Sequence, residues 1–173
     1  MNGKGILSAA LLVAGTLAGA ALADPAARDE DGLSSAPSEM SVEYWAERSK
    51  KPGYDFRMCM YGYPLAKMGW HDAARRIFER CAEHGNVQAM AWAAWTDENG
   101  YDKPSDPAKA AEWDRKAAEA GSPVGEFNYG LDLLRGHGVA QDSAAGRKYI
   151  DRAAARGERL ASDLAAHDYD PES

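Results

Sequence analysis

The chain has 173 residues, 45% of them hydrophobic, with 20 Lys and Arg against 27 Asp and Glu and a net charge of −7. That acidic surplus argues against nucleic acid, whose binding needs clustered Lys and Arg, and against electrostatic docking on anionic lipid. The length is that of one domain.

Residues 1–23 read as a secretory signal peptide. Lys4 gives a positive start, Ile6 to Leu22 is uncharged and apolar, and Ala21-Leu22-Ala23 offers a small-x-small cleavage site before Asp24. The apolar run only just reaches the ~17–25 residues of a membrane span. Cleavage near Ala23-Asp24 is therefore expected, with no stable membrane insertion afterwards. No cysteine follows the run, which speaks against a lipid anchor. Loss of Lys4 leaves 19 basic against 27 acidic side chains, a net of −8. The expected location is periplasmic or secreted.

Residues 24–53 read as a flexible leader. The stretch 24–37 is polar, with Pro, Gly and Ser, and buries too little apolar surface to offset its ordering entropy. A short helix is expected over 39–50, with Ser38 as its cap and Val42, Trp45 and Ala46 at helical spacing.

From residue 54 a period takes over. Gly85, Gly121 and Gly157 lie 36 residues apart and close the segments Cys-Ala-Glu-His-Gly, Ala-Ala-Glu-Ala-Gly and Ala-Ala-Ala-Arg-Gly. A fixed period of this size marks stacked repeats, each too small to bury its own apolar face. First helices are predicted at about 55–67, 87–98 and 123–135. Second helices run from about Asp72 to His84, from Pro107 behind an Asp106 cap to Gly121, and from Asp142 to Gly157. Ala74, Ile77, Phe78, Cys81 and Ala82 point inward in the first copy, and Ala110, Trp113, Ala117 and Ala118 in the second. Tyr149, Ala153 and Ala154 do so in the third. Gly62, Ala94 and Gly130 sit where helices must approach closely, and Gly69-Trp70-His71 forms a tighter first turn. A last helix at about 159–167 caps the stack, and 168–173 is a tail. The expected class is all-α, an α/α solenoid of about three hairpins plus a capping helix.

Cys59 and Cys81 lie 10 residues before Gly69 and 12 after it. Antiparallel helices with a 1.5 Å rise bring those positions to similar height. In an exported chain an even cysteine count reads as a disulfide. Two buried free thiols are the alternative, and a redox pair lacks the close Cys-x-x-Cys spacing.

Little else points to chemistry. His71, His84, His137 and His167 have no metal-ligand spacing. The serines lack a nucleophile elbow. Gly136-His137-Gly138 lacks the Lys-Ser/Thr of a phosphate loop and reads as a turn needing positive φ. No catalytic residue, metal or cofactor is expected.

Residues 128–142, with Gly130, Gly136, Gly138, Val139 and Asp142, followed by Ala153, Ala154 and Gly157, resemble the Sel1-like repeat. The preceding copy fits through Ala89, Gly100, Asp106, Ala110, Trp113, Ala117, Ala118 and Gly121, but its loop lacks Gly-x-Gly-Val. The first copy is more similar to the related tetratricopeptide repeat, through Gly62, Gly69, Ala74 and Phe78. The resemblance covers about 54–167 and implies a solenoid for protein–protein contacts. It also implies a concave groove lined by Phe56, Tyr63, Gln88, Trp95, Glu98, Phe127, Leu131 and Arg135. The same spacing allows Trp95, Phe127 and Leu131 to pack between repeats instead, and places Cys59 in competition between groove and bond.

The expected function is an exported adaptor or scaffold binding a protein or peptide in that groove, as a periplasmic regulator or a toxin-immunity protein. Trp95 and Phe127 would be its anchors, and Arg135 would meet a carboxylate. The alternative is a weak β-lactam-binding or hydrolysing enzyme, as the resemblance to cysteine-rich Sel1-like proteins implies.

Overall fold

A computed structural model describes residues 38–170. The segments read from sequence as a signal peptide, as the leader up to residue 37 and as the end of the tail from 171 lie outside the described residues. Eight α-helices follow one another in the described residues, without a strand: α1 (Val42–Ser49), α2 (Gly62–Lys67), α3 (His71–Glu83), α4 (Val87–Asn99), α5 (Pro107–Glu119), α6 (Pro123–Arg135), α7 (Ser143–Ala155) and α8 (Arg159–Ala166). From α2 onward each helix packs on the next, and α1 lies against α3. This is the all-α, α/α solenoid that the period predicts.

The helix ends follow from local chemistry. Asn86, Asp106, Ser122 and Asp142 each accept a backbone N–H three residues on, at 2.9–3.1 Å, so an orphaned donor of each first turn is satisfied. Gly85, Gly121 and Gly157 have φ of 84°, 83° and 89°, the left-handed region that glycine adopts without a Cβ clash.

The first hairpin departs from the expected pattern. Instead of one helix over 55–67, a 3-10 turn spans Phe56–Met60 and α2 begins at Gly62. Pro64 is the cause. It has no N–H to give Met60 and its ring clashes with a helix continuing from there, so it is tolerated only in a first turn. The cap of α1 also shifts. Ser41 accepts the Tyr44 N–H at 3.1 Å, while the Ser38 carbonyl takes the Ser41 N–H at 2.9 Å in the preceding turn.

Cys59 in the 3-10 turn and Cys81 in α3 form a disulfide, with Cα atoms 5.9 Å apart. Cys81 is fully buried, whereas Cys59 keeps one side on a surface hollow. Bond and groove position are therefore compatible. α1 closes this end: Trp45 is buried, stacks on Tyr61 and donates Nε1–H to the Glu39 carbonyl at 2.7 Å.

The apolar core falls into two clusters. One runs from Trp45 through Ile77, Phe78 and Met90 to Trp113 and Ala117. The other gathers Leu134, Ile150, Ala153 and Ala161, with Phe127, Leu131 and Leu164 against them. Close helix approach holds each. A Cβ on Gly130 would lie 2.7 Å from Ile150 Cδ1, and one on Gly125 2.6 Å from Ala117 Cβ. Between the clusters, Asn128 of α6 donates to Asp114 of α5 at 3.0 Å.

Candidate functional site

The exposed face is built by α2, α4 and α6. Val87 and Pro123 open the latter two helices, so successive turns present Gln88, Ala91, Trp95 and Glu98, then Phe127, Leu131 and Arg135, to one side. α5 lies beneath and supplies the floor through Ala110 and Asp114. The resulting hollow has a volume of about 360 Å³. Four of the residues that the resemblance implies for a groove, Trp95, Glu98, Leu131 and Arg135, line this hollow together.

The other expected groove residues are distributed along the same face. Tyr63 and Gln88 line a neighbouring hollow with Cys59, Phe78 and Trp92. Phe127 shares Leu131 and Arg135 with a third hollow, closed by Leu160, Leu164 and His167 near α8. Phe127 and Leu131 are also half-buried against the second core cluster, so they serve packing and lining at once. Phe56 is 71% exposed and borders none of these hollows. The break before Pro64 places it in the 3-10 turn rather than on α2.

Aromatic rings continue the face past Trp95. Tyr63 meets Trp92 at 5.1 Å, Trp92 meets Trp95 at 5.8 Å, Trp95 meets Tyr101 at 4.9 Å, and Tyr101 stacks on His71 at 4.6 Å. Trp95 is 37% exposed and belongs to both the aromatic strip and the α4–α5–α6 hollow.

The floor of that hollow is acidic. Asp114 is only 7% exposed. Burial pushes its carboxyl up to about 7; the Asn128 hydrogen bond offsets part of this, and repulsion from Asp132 and Glu98 adds to it. Burial likewise pushes Asp132 up to about 6, against the pull of His137 and Arg135. Asp132 Oδ2 is buried and accepts no hydrogen bond. His137 Nε2 lies 2.9 Å from Glu98 Oε1 and closes one end.

Sequence reasoning passed over Asp114, Asn128, Asp132, Trp92 and Tyr101. One signal was present: Ala110, Asp114 and Ala118 are spaced i, i+4, i+8, so a carboxylate interrupts an apolar stripe. Among the described residues, no group of three or more His, Cys, Asp and Glu could hold a metal ion. None of their helices is long and apolar enough to cross a membrane.

Helix hairpins repeating every 36 residues, each covering the next, with one helix of every pair on an open face, define an α/α repeat solenoid. The fold is that of Sel1 repeat proteins. A Sel1 repeat protein from Oxalobacter formigenes matches with a TM-score of 0.58 and 24% identity, over 70% of this chain and 92% of that one. Cysteine rich protein B of Helicobacter pylori matches with a TM-score of 0.54 and 16% identity, over 73% of this chain and 99% of that one. A protective antigen of uropathogenic Escherichia coli, described as displaying an SLR fold, matches at 0.53 and 19%, over 73% of this chain and 33% of that one. No family model and no curated protein matches the sequence. The Gly-x-Gly turn behind the resemblance takes the expected form: Gly136 and Gly138 both have φ of 68°.

Proposed function

We propose that this protein is an exported interaction adaptor that holds a segment of a partner protein along the face of α2, α4 and α6. The observation that carries this reading is Trp95. A large indole is partly exposed at the junction of an aromatic strip and a concave hollow, and aromatic anchors that a partner desolvates dominate interfaces. The hollow is of a size for side chains of a bound segment rather than for a whole domain. The Cys59–Cys81 disulfide supports export, since such bonds persist in oxidising compartments. A periplasmic regulator and a toxin-immunity protein are both uses that such a face serves.

The test is photocrosslinking in the native host from a probe amino acid at position 131. The captured protein is then purified and its affinity measured directly. Trp95→Ala is expected to weaken binding by about thirtyfold, the loss of a ~2 kcal/mol anchor. A partner whose affinity is unchanged by both Trp95→Ala and Phe127→Ala would place the interface elsewhere.

A further inference from the structure

The described residues contain three buried carboxylates, Asp97, Asp114 and Glu126. Two have cations of their own. Asp97 pairs with Lys103 at 2.5 Å and Lys109 at 3.6 Å. Glu126 pairs with Arg152 at 3.1 Å and Arg156 at 3.6 Å. Asp114 receives only the neutral amide of Asn128. It is also the one of the three that borders an open hollow, where Asp132 adds a second carboxylate, itself attracted by His137 and Arg135. A buried carboxylate without a counter-charge is costly, and Asp114 lines a space of about 360 Å³.

We propose that the α4–α5–α6 hollow receives a basic side chain of the bound segment, with arginine the best fit, its cation held between Asp114 and Asp132. This rests on reading the face as a segment-binding surface. The walls match such a ligand. Leu131 and Ala94 flank the hollow and suit a methylene stem, and the open Trp95 ring suits the face of a guanidinium. A metal ion is the poorer occupant, because among the described residues no three donors are arranged for one.

The charged groups facing the hollow are Glu98 from α4, Asp114 from α5, Asp132 and Arg135 from α6, and His137 from the following loop. Three acids outnumber one permanent base, and His137 is engaged by Glu98. The two floor carboxyls titrate near neutrality, so a cation there displaces protons. Binding strengthens as pH rises from 5 to 8.

The test uses the full disulfide-bonded protein, isotopically labelled, titrated with N-acetyl-arginine methylamide and with its neutral isostere N-acetyl-citrulline methylamide. The Trp95 indole N–H and the Asn128 side-chain amide are the reporters. At pH 8 the arginine probe is expected to shift both saturably, in the millimolar range, and to bind about tenfold more tightly than the citrulline probe. At pH 5 that preference is expected to disappear. Asp114→Asn with Asp132→Asn should abolish it while the spectrum stays folded; Asp132→Asn alone should reduce it and serves if the double variant does not fold. Equal binding of the two probes, or no shift of either reporter, overturns the proposal. If Trp95→Ala still weakens the captured partner in that case, the face remains a binding surface and only the cation inference falls.

Discussion

Glu98 of α4 and His137 of the loop after α6 meet across the groove, with His137 Nε2 at 2.9 Å and 3.0 Å from the two carboxylate oxygens. They lie 39 residues apart, so the contact ties one repeat to the next on the face proposed to bind. Both side chains are nearly half exposed, and exposed pairs contribute ~0–1 kcal/mol. His137→Ala is expected to change the urea midpoint by less than the equivalent of about 1 kcal/mol while altering partner affinity. A large loss of stability would make the contact structural instead.

Asp114→Asn tests the floor of the hollow through pH. The folded-state carboxyl lies near 7, above its ordinary 3.8, so the native state holds its proton more tightly than the unfolded chain. Stability therefore falls as pH rises from about 4 to about 7, by at most about 4 kcal/mol at 1.36 kcal/mol per unit. Asn keeps an oxygen for Asn128 and carries no charge. The variant should be more stable than wild type at pH 8 and nearly equal to it at pH 4. Equal melting temperatures at pH 8 would contradict this.

Reduction of Cys59–Cys81 should destabilise the chain by about 2–4 kcal/mol, since the bridge closes a separation of 22 residues. Cys81 is fully buried while Cys59 borders a surface hollow, so reductant is expected to attack at Cys59 without denaturant. Denaturation with and without reductant measures the first effect, and thiol labelling over time the second.

Two glycines separate backbone strain from crowding. Gly69 has φ of 82° and open space around its would-be Cβ, whereas Gly138 has φ of 68° and a would-be Cβ that clashes with the Pro107 carbonyl. Gly69→Ala should cost about 1–2 kcal/mol, the left-handed penalty alone. Gly138→Ala should cost about 1–3 kcal/mol more, because the loop must move off the start of α5. Similar losses for the two, by thermal melting, would remove the packing role assigned to Gly138.

Much of the fold could be read from sequence because its signals are local. Asp106, Asp142 and the three period glycines each act within one turn of their own helix. Pro64 carries an equally local signal, and the helix predicted over 55–67 runs through the break it imposes. The site was harder to read. Trp95 and Leu131 are apolar residues at helical spacing, which serve a core and a groove alike. Asp114, Asn128 and Asp132 lie on two helices and acquire their meaning only when α5 and α6 pack together. Hydrophobic patterning treats polar residues as outward-facing, and here they turn inward.

The Asp114–Asn128 seam leaves the two core clusters unequal. The first is covalently clasped at Cys59–Cys81 and covered by α1. The second ends in α8, whose one buried residue is Ala161. In a stack held by neighbour-to-neighbour contacts, opening begins where the last layer has the least to lose. Amide exchange should therefore sweep from α8 back toward the seam, leaving the clasped hairpins as the last to surrender their protons.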